Sequence, residues 1–153
     1  MLGRTYEAQN CSAARALEVV GERWSLLILR DAIFRGMTRF TEFQRSLAVA
    51  PNILSSRLQG FCEAGLLKLD KTAGSDQTRY RLTEKGRDLA PVIVALTAWG
   101  DRWAAPDGPP VTFFHADCEG TVSIGMECRS CSQQVLAGVV EARPRTDSIW
   151  GPV

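Results

Sequence analysis

The sequence predicts a mainly α-helical fold with a small two-stranded β-sheet, in the α+β class, followed by a small β-rich C-terminal segment. Apolar residues recur at helical spacing up to residue 63, and two short strand-like runs then flank a loop that contains glycine. The stretch PDGPP at 106–110 has the composition of a linker. We therefore expect one larger domain over residues 1–106 and a smaller one over residues 107–153.

Four helices are expected in the first part of the chain. Ser12 is placed to cap the first helix, which ends at Gly21, and Gly36 ends the second. Thr38 is placed to cap the third helix, and Pro51 opens the fourth at a position where proline is favoured. The expected ranges are 12–20, 23–35, 39–47 and 51–63.

A hairpin and a fifth helix complete the larger domain. The strands are expected at 66–71 and 78–82, joined by a loop at 72–77. A long fifth helix is expected from 83 to about 105, with Pro91 either near its first turns or kinking it. One apolar stripe follows this helix and comprises Leu89, Val92, Ile93, Leu96, Trp99 and Trp103.

Composition and charge narrow the class of protein. The chain has 45% hydrophobic and 23% charged residues, which is ordinary for a globular protein. No apolar run approaches the about 18 residues of a membrane span, and the polar N-terminus lacks a secretory signal pattern. Five cysteines without the spacing of a secreted disulfide framework favour a reducing, cytoplasmic compartment. The net charge of +1 conceals a basic segment at 39–87 and an acidic one at 107–153.

The sequence does not favour an enzyme. Its one histidine lies among cysteines rather than beside a serine nucleophile or a pair of carboxylates. No Gly-x-Gly motif that could cradle a phosphate is present. We therefore expect a binding protein.

The order of the elements favours recognition of DNA. A short helix, a tight turn, a second helix and a basic hairpin form a winged helix-turn-helix, whose second helix enters the major groove. Leu54, Leu58 and Phe61 would occupy the inner face of helix 51–63. A polar face opposite an apolar stripe is also typical of any surface helix, so the prediction depends on the order of the elements. The face available to base edges carries Asn52, Ser55, Ser56 and Gln59.

Phosphate groups require cations and hydroxyl groups around the reading helix. The hairpin at 66–82 would lie as a wing over the DNA backbone or the minor groove. The expected phosphate contacts are Thr38, Arg39 and Arg57 near the helix, and Lys71, Arg79 and Arg81 on the hairpin.

Several motifs of this region resemble those of the HxlR-type regulators, relatives of the MarR group. The resemblance covers roughly Cys11 to Trp103. The motifs are Cys11 before the first helix, G-x-R-W at 21–24, LLILR at 26–30, RF-x-E-x-Q at 39–44, L-S-x-R-L at 54–58, E-x-G-L at 63–66 and Y-x-L-T-x-K-G at 80–86.

The resemblance implies a winged-helix repressor or activator that binds double-stranded DNA at a pseudo-palindromic site. It also implies a homodimer built by the first and last helices of the domain at 1–106. Trp99 and Trp103 would then be buried between subunits, and the alternative is that they pack within one subunit.

Cys11 is a candidate redox residue, because some members of the family sense oxidants or electrophiles through a cysteine at this position. A thiol at a helix N-terminus gains thiolate character from the helix dipole, and the nearby Arg15 would add to it. The alternative is that Cys11 is a small half-buried residue that only packs.

A second candidate site lies in the C-terminal segment, where the pattern His115-x2-Cys118-x9-Cys128-x2-Cys131 occurs. Two short arms that face one tetrahedral ion are typical of a zinc ribbon, and three cysteines with one histidine are a known structural zinc set. A metal would also supply stability that so short a segment struggles to obtain from a core. A Cys128–Cys131 or Cys118–Cys128 disulfide, or plain thiols, are the alternatives.

A regulator that responds to a small molecule is a further hypothesis. An aromatic effector could enter a cleft between the fifth helix and the C-terminal segment, near Trp99, Phe113 and Phe114. The alternative is that these aromatic side chains belong to the core.

Overall fold

The computed structural model describes residues 5–6, 11–71 and 78–143. The prediction of a mainly helical fold with small antiparallel sheets is confirmed, while the predicted loop at 72–77 lies outside the described residues. The elements are α1 (Ser12–Val20), α2 (Ser25–Phe34), α3 (Phe40–Leu47), α4 (Pro51–Glu63), β1 (Leu67–Lys71), β2 (Thr78–Leu82), α5 (Glu84–Arg87), α6 (Ala90–Trp103), β3 (Met126–Glu127) and β4 (Gln134–Val135), with a 3₁₀ turn at Ala137–Val139.

The described residues fall into two compact units. The first extends to Ala90, and the second begins at Pro91, so all of α6 after its first residue is grouped with the C-terminal residues. Compactness alone does not define an independently folding domain, and the boundary at 106–107 stays a prediction. None of the helices in the described part of the chain is both long and apolar enough to cross a bilayer.

The apolar core of the first unit lies where α2, α3, α4 and β1 pack together. Leu54, Leu58 and Phe61 of α4 are at most 1% exposed, which confirms the inner face predicted from their spacing. The core also contains Ile28, Leu29, Phe43, Leu66 and Leu67.

A buried aspartate connects α2 to α3. The side chain of Asp31 is fully buried, and its carboxylate accepts hydrogen bonds from Ser46 Oγ at 2.6 Å and Arg30 Nε at 2.9 Å. A guanidinium nitrogen of Arg35 lies 3.6 Å from the same carboxylate and donates to Ser46 Oγ at 2.6 Å. The position of α3 is therefore set by a polar network in addition to apolar packing.

The caps of two helices differ from those expected. Cys11, rather than Ser12, occupies the N-cap position of α1, which has no side-chain cap. At α3 the N-cap position belongs to Arg39 rather than Thr38. The carboxylate of Glu42 accepts hydrogen bonds from the backbone N–H groups of Thr38 at 2.8 Å and Arg39 at 2.9 Å. Glu42 therefore caps the helix in place of the threonine hydroxyl.

These two hydrogen bonds also affect the pKa of the Glu42 carboxyl group. The backbone N–H groups of Thr38 and Arg39 stabilise the charged carboxylate and hold the pKa of Glu42 below its ordinary value. A group with a lowered pKa in the folded state stabilises the fold above its unfolded pKa and loses that effect as the pH falls through the lowered value. The cap is therefore fully formed at neutral pH.

The single fifth helix predicted over 83–105 is wrong, because the chain forms two helices there. The short α5 ends at Arg87, and α6 begins at Ala90. Pro91 lacks an amide hydrogen and its ring clashes with the preceding turn, so it is tolerated only near a helix start. The helix consequently restarts one residue before the proline.

Candidate nucleic-acid interface

Helices α3 and α4 are joined by a three-residue turn. Ala48 adopts a left-handed conformation with φ of 50° and closes α3 by donating its N–H to the carbonyl of Gln44 at 2.9 Å. Val49 is buried and anchors the turn, and Pro51 is the first residue of α4. The two helices therefore form a helix-turn-helix.

One face of α4 is polar and open to solvent. It lies opposite the buried Leu54 and Leu58. No charged residue precedes Arg57 in α4. Gln59 donates its amide N–H to Glu63 at 2.8 Å, which orients the side chain along the helix. Asn52, Ser55, Ser56 and Gln59 are exposed, as expected from the sequence, and so are Ile53 and Glu63 of the same helix.

Arg57 is engaged within the protein. Its guanidinium lies 2.9 Å from the carboxylate of Glu22, in the turn that follows α1. The side chain is 19% exposed, and its Nε has no hydrogen-bond partner among the described residues. A phosphate contact by Arg57 stays a prediction, and it would require the exchange of Glu22 for a phosphate.

The two strands after α4 pair as the predicted ribbon. Leu67 lies opposite Leu82, and Asp70 lies opposite Arg79. Arg81 Nε contacts the carboxylate of Asp70 at 2.5 Å across the strands. Arg79 is half-buried, and its positive charge contributes to the lowered pKa of Glu42 after the backbone bonds.

The wing is connected to the start of α3. The backbone N–H of Tyr80 donates to the carbonyl of Thr38 at 2.7 Å, beside the half-buried Arg39. Lys71 is the last residue of β1 and lies opposite Thr78. The structure thus places Thr38 and Arg39 next to the wing.

The segment after the wing ties it to the end of α4, a set of contacts that sequence reasoning missed. Thr83 Oγ1 donates to the carbonyl of Gly65 at 2.7 Å and accepts the N–H of Gly86 at 3.1 Å. Lys85 Nζ donates to the carbonyl of Ala64, the C-cap residue of α4, at 2.7 Å. These residues form the T-x-K-G part of the motif at 80–86, so the motif itself was the available signal.

The cysteines of the first unit have different surroundings. Cys11 is half-buried at the N-cap of α1, and neither it nor Cys62 is disulfide-bonded. The guanidinium of Arg15 is engaged by Glu18 at 3.1 Å and by the carbonyl of Tyr6. Burial raises the pKa of the Cys62 thiol, and the charge of nearby Glu63 adds to the shift. Cys62 is therefore held as a thiol at neutral pH.

The His/Cys cluster of the second unit forms two pairs. His115 Nδ1 lies 3.2 Å from Cys118 Sγ. Hydrogen bonds from the backbone N–H groups of Cys131 and Ser130, and from the Cys131 side chain, lower the pKa of the Cys128 thiol. Among the described residues, no three His, Cys, Asp or Glu side chains are grouped as a metal site would require. Zinc binding therefore stays a prediction at this point.

The aromatic residues considered for a ligand cleft are mostly exposed. Trp99 is 61% and Phe114 is 60% exposed, and Phe113 is half-buried. Their proposed role in effector binding stays a prediction.

Comparison with known proteins assigns this helix-turn-helix to a family. The model of the HxlR-like helix-turn-helix family matches residues 19–108, from the end of α1 to beyond α6. The chain belongs to the HxlR-like family. The predicted family resemblance is thereby confirmed, and the whole helix-turn-helix and wing lie inside the matched region.

Individual relatives of this HxlR-like protein agree with the assignment. It is 42% identical over 135 residues to the uncharacterized HTH-type transcriptional regulator Rv3095 of Mycobacterium tuberculosis, covering 87% of this chain and 85% of that one. Its fold resembles the crystal structure of PA1607, described as a candidate transcription factor, with a TM-score of 0.79 at 38% identity over 88% of this chain and 94% of that one. It also resembles quinone-bound YodB from Bacillus subtilis, with a TM-score of 0.51 at 26% identity over 61% of this chain and 99% of that one.

The family and these relatives consist of transcriptional regulators rather than enzymes. The HxlR-like protein is accordingly a helix-turn-helix transcription regulator, as the order of its elements predicted.

Proposed function

We propose that this protein is a homodimeric, sequence-specific DNA-binding regulator that inserts α4 into the major groove and lays the β1–β2 wing on the DNA backbone or in the minor groove. The observation that carries the proposal is the exposed polar face of α4, which carries no cation and lies opposite the residues that bury the helix in the core. The wing and the start of α3 carry the cationic side chains proposed to contact phosphates, and the hydrogen bond from Tyr80 to Thr38 joins these two elements.

The dimensions and chemistry of α4 suit the major groove. Its 13 residues span about 20 Å, and the groove is wide enough to admit one α-helix. The amides of Asn52 and Gln59 can each donate to and accept from adenine at once. Ser55 and Ser56 offer small hydroxyl groups that allow close approach. Binding would exchange the Gln59–Glu63 hydrogen bond for one to a base edge.

Phosphate contacts are proposed from the start of α3 and from β2. Thr38 and Arg39 lie at the start of α3, and Arg79 and Arg81 lie on β2. The hydrogen bond from Tyr80 N–H to the carbonyl of Thr38 fixes the start of α3 relative to β2. Lys71, the last residue of β1, is proposed as a further phosphate contact.

A dimer is proposed because large apolar side chains remain exposed on the helices that the family uses to associate. Trp103 is 64% and Leu96 is 51% exposed on α6, and Leu17 is 49% exposed on α1. Exposed apolar patches of this kind mark interaction surfaces. A second copy of the chain would supply the missing partner and match a pseudo-palindromic operator.

Replacing Gln59 with alanine is expected to weaken binding to the operator by about tenfold, because one bidentate base contact contributes about 1–3 kcal/mol. The measurement is a gel-shift titration at fixed salt on DNA upstream of the protein's own gene. Gln133→Ala, which removes an exposed glutamine in the other compact unit, is the control and should bind like the wild type. Affinity for unrelated DNA should fall equally little for both variants.

Footprinting on the same DNA tests the dimer and the reading mode. Two protected half-sites about 10 base pairs apart are expected from a dimer that presents two copies of α4. Binding that ignores DNA sequence, or that survives both Gln59→Ala and Arg79→Ala unchanged, would contradict recognition by α4 and the wing. A single protected half-site would contradict the dimer.

A second candidate function is a redox or electrophile switch at Cys11. It is favoured by the half-buried position of this thiol at the N-cap of α1, which leaves part of the residue open to solvent. The relative YodB was crystallised with a bound quinone, an electrophile that reacts with thiolates.

Treatment with diamide is expected to change the operator affinity of the wild type by severalfold, and Cys11→Ser should abolish this response. The response is measured in the gel-shift titration with and without subsequent reduction. Cys62→Ser is the matched control and should respond like the wild type, because burial holds Cys62 as a thiol. A Cys11→Ser variant that still responds would place the switch elsewhere.

A further inference from the structure

The chain reversal at His115 has a defined hydrogen-bond frame. The N–H of His115 donates to the carbonyl of Gly120 at 2.8 Å, and the N–H of Glu119 donates to the carbonyl of His115 at 2.8 Å. The turn brings the side chain of Cys118 to 3.2 Å from the His115 ring. Positions one and four of this turn therefore both carry a metal-binding side chain and present them together.

The chain reversal at Cys128 repeats this frame bond for bond. The N–H of Cys128 donates to the carbonyl of Gln133 at 3.0 Å, and the N–H of Ser132 donates to the carbonyl of Cys128 at 2.8 Å. The thiols of Cys128 and Cys131 contact each other, again at positions one and four. The second unit therefore contains two copies of one turn.

The two copies share an uncommon backbone conformation. Glu119 and Ser132 both have φ of 55°, in the left-handed region that residues other than glycine seldom occupy. Each stands directly after the second donor of its turn. Neither residue is a glycine, so both turns hold a mildly strained conformation that keeps their two donors on the same side.

The region around these turns lacks a core of its own. Between residues 111 and 143, no side chain that the structure describes is buried. The strands that extend the second turn are only two residues long. A segment without a core needs a cross-link to remain ordered. Its cysteines form no disulfide, so metal coordination is the cross-link that its side chains can provide.

We propose that His115, Cys118, Cys128 and Cys131 together bind one structural Zn²⁺ ion, each turn supplying half of the site. One imidazole and three thiolates are a tetrahedral donor set that zinc prefers, and all four positions are occupied by protein. In the structure the donors contact each other two by two, so binding would bring the halves onto one ion and release the thiol protons to solvent.

Metal analysis of the full chain, purified under reducing conditions without chelator, should find about one zinc per chain. Cys118→Ser and Cys128→Ser should each lower the zinc content severalfold. Cys11→Ser and Cys62→Ser, which change cysteines of the other compact unit, are the matched controls and should keep it. Replacement of zinc by Co²⁺ should give the intense d–d bands of a tetrahedral site and a thiolate charge-transfer band, which weakens in Cys118→Ser.

Three results would overturn the proposal. They are wild-type protein without stoichiometric zinc, full zinc retention in Cys128→Ser, and a Cys128–Cys131 disulfide in protein kept under reductant. Cys128→His preserves a ligand and should retain zinc, which separates loss of a donor from general misfolding. Far-UV circular dichroism of each variant checks that the helices remain folded.

Discussion

Replacing Asp31 with alanine is expected to lower the free energy of unfolding by about 3 kcal/mol, which is a large share of the stability of a domain of this size. The carboxylate is fully buried and receives hydrogen bonds from Ser46 and Arg30, with Arg35 also close. Its removal leaves a cavity, and Arg30 and Arg35 lose the carboxylate that pairs with both of them. Urea denaturation followed by circular dichroism measures the change.

Asp70→Ala is the matched control for this loss. Asp70 also pairs with an arginine, Arg81, but both side chains are more than one third exposed. Exposed ion pairs contribute about 0–1 kcal/mol, so this variant should unfold near the wild-type midpoint. Equal effects of Asp31→Ala and Asp70→Ala would show that burial of the α2–α3 network contributes no stability.

The Asp31 variant should also affect DNA binding. Ser46 lies near the end of α3, just before the turn that leads into α4. Loss of its hydrogen bond to Asp31 frees α3 from α2, and the exposed face of α4 is then less well positioned. We expect operator affinity to fall with stability, even though Asp31 is buried and cannot touch DNA.

Replacing Gly86 with alanine is expected to cost about 3 kcal/mol and to displace the wing. A Cβ atom at this position would lie 2.2 Å from the carbonyl oxygen of Leu66 and 3.0 Å from a methyl carbon of Leu82. The carbonyl belongs to the backbone directly before β1 and cannot rotate away. The clash therefore separates α5 from the base of the wing, and both the urea midpoint and operator affinity should fall.

Gly60→Ala is the corresponding control. Gly60 lies within α4, and a Cβ atom there would meet no atom within 4 Å. Alanine is a better helix former than glycine, so this variant should gain about 0.5–1 kcal/mol. If Gly86→Ala unfolded at or above the wild-type midpoint, the close packing of α5 on Leu66 would be without consequence.

Local patterns predicted the helix-turn-helix because each of its signals is short-range. Pro51 marks the start of α4, and the spacing of Leu54, Leu58 and Phe61 identifies the face that packs in the core. The exposed positions of Asn52 and Gln59 follow from the same geometry. Family membership could be predicted for the same reason, since its motifs lie within these elements.

Other features depend on residues that are distant in the chain. Nothing local to Arg57 indicates that Glu22, 35 positions earlier, neutralises it. The charged Asp31 inside an apolar helix has no local explanation until Ser46 and Arg35 are placed beside it.

The predictions of the helix caps and of a single fifth helix were wrong for a different reason. Several nearby residues could serve each role, and small energy differences between them decide the outcome. Glu42 competes with Thr38 for the start of α3, and Pro91 could have kinked the helix instead of restarting it.

The ion pair between Glu22 and Arg57 has a consequence for discrimination between operator and bulk DNA. A cation without a partner attracts any duplex, because it displaces the counterions condensed on the phosphates whatever the base sequence. Arg57 already has an anion beside it, so adhesion to random DNA through this residue gains little and leaves Glu22 unpaired. With α4 as the proposed reading helix, the Glu22–Arg57 pair limits binding to random DNA and leaves the choice of site to the neutral side chains of that helix.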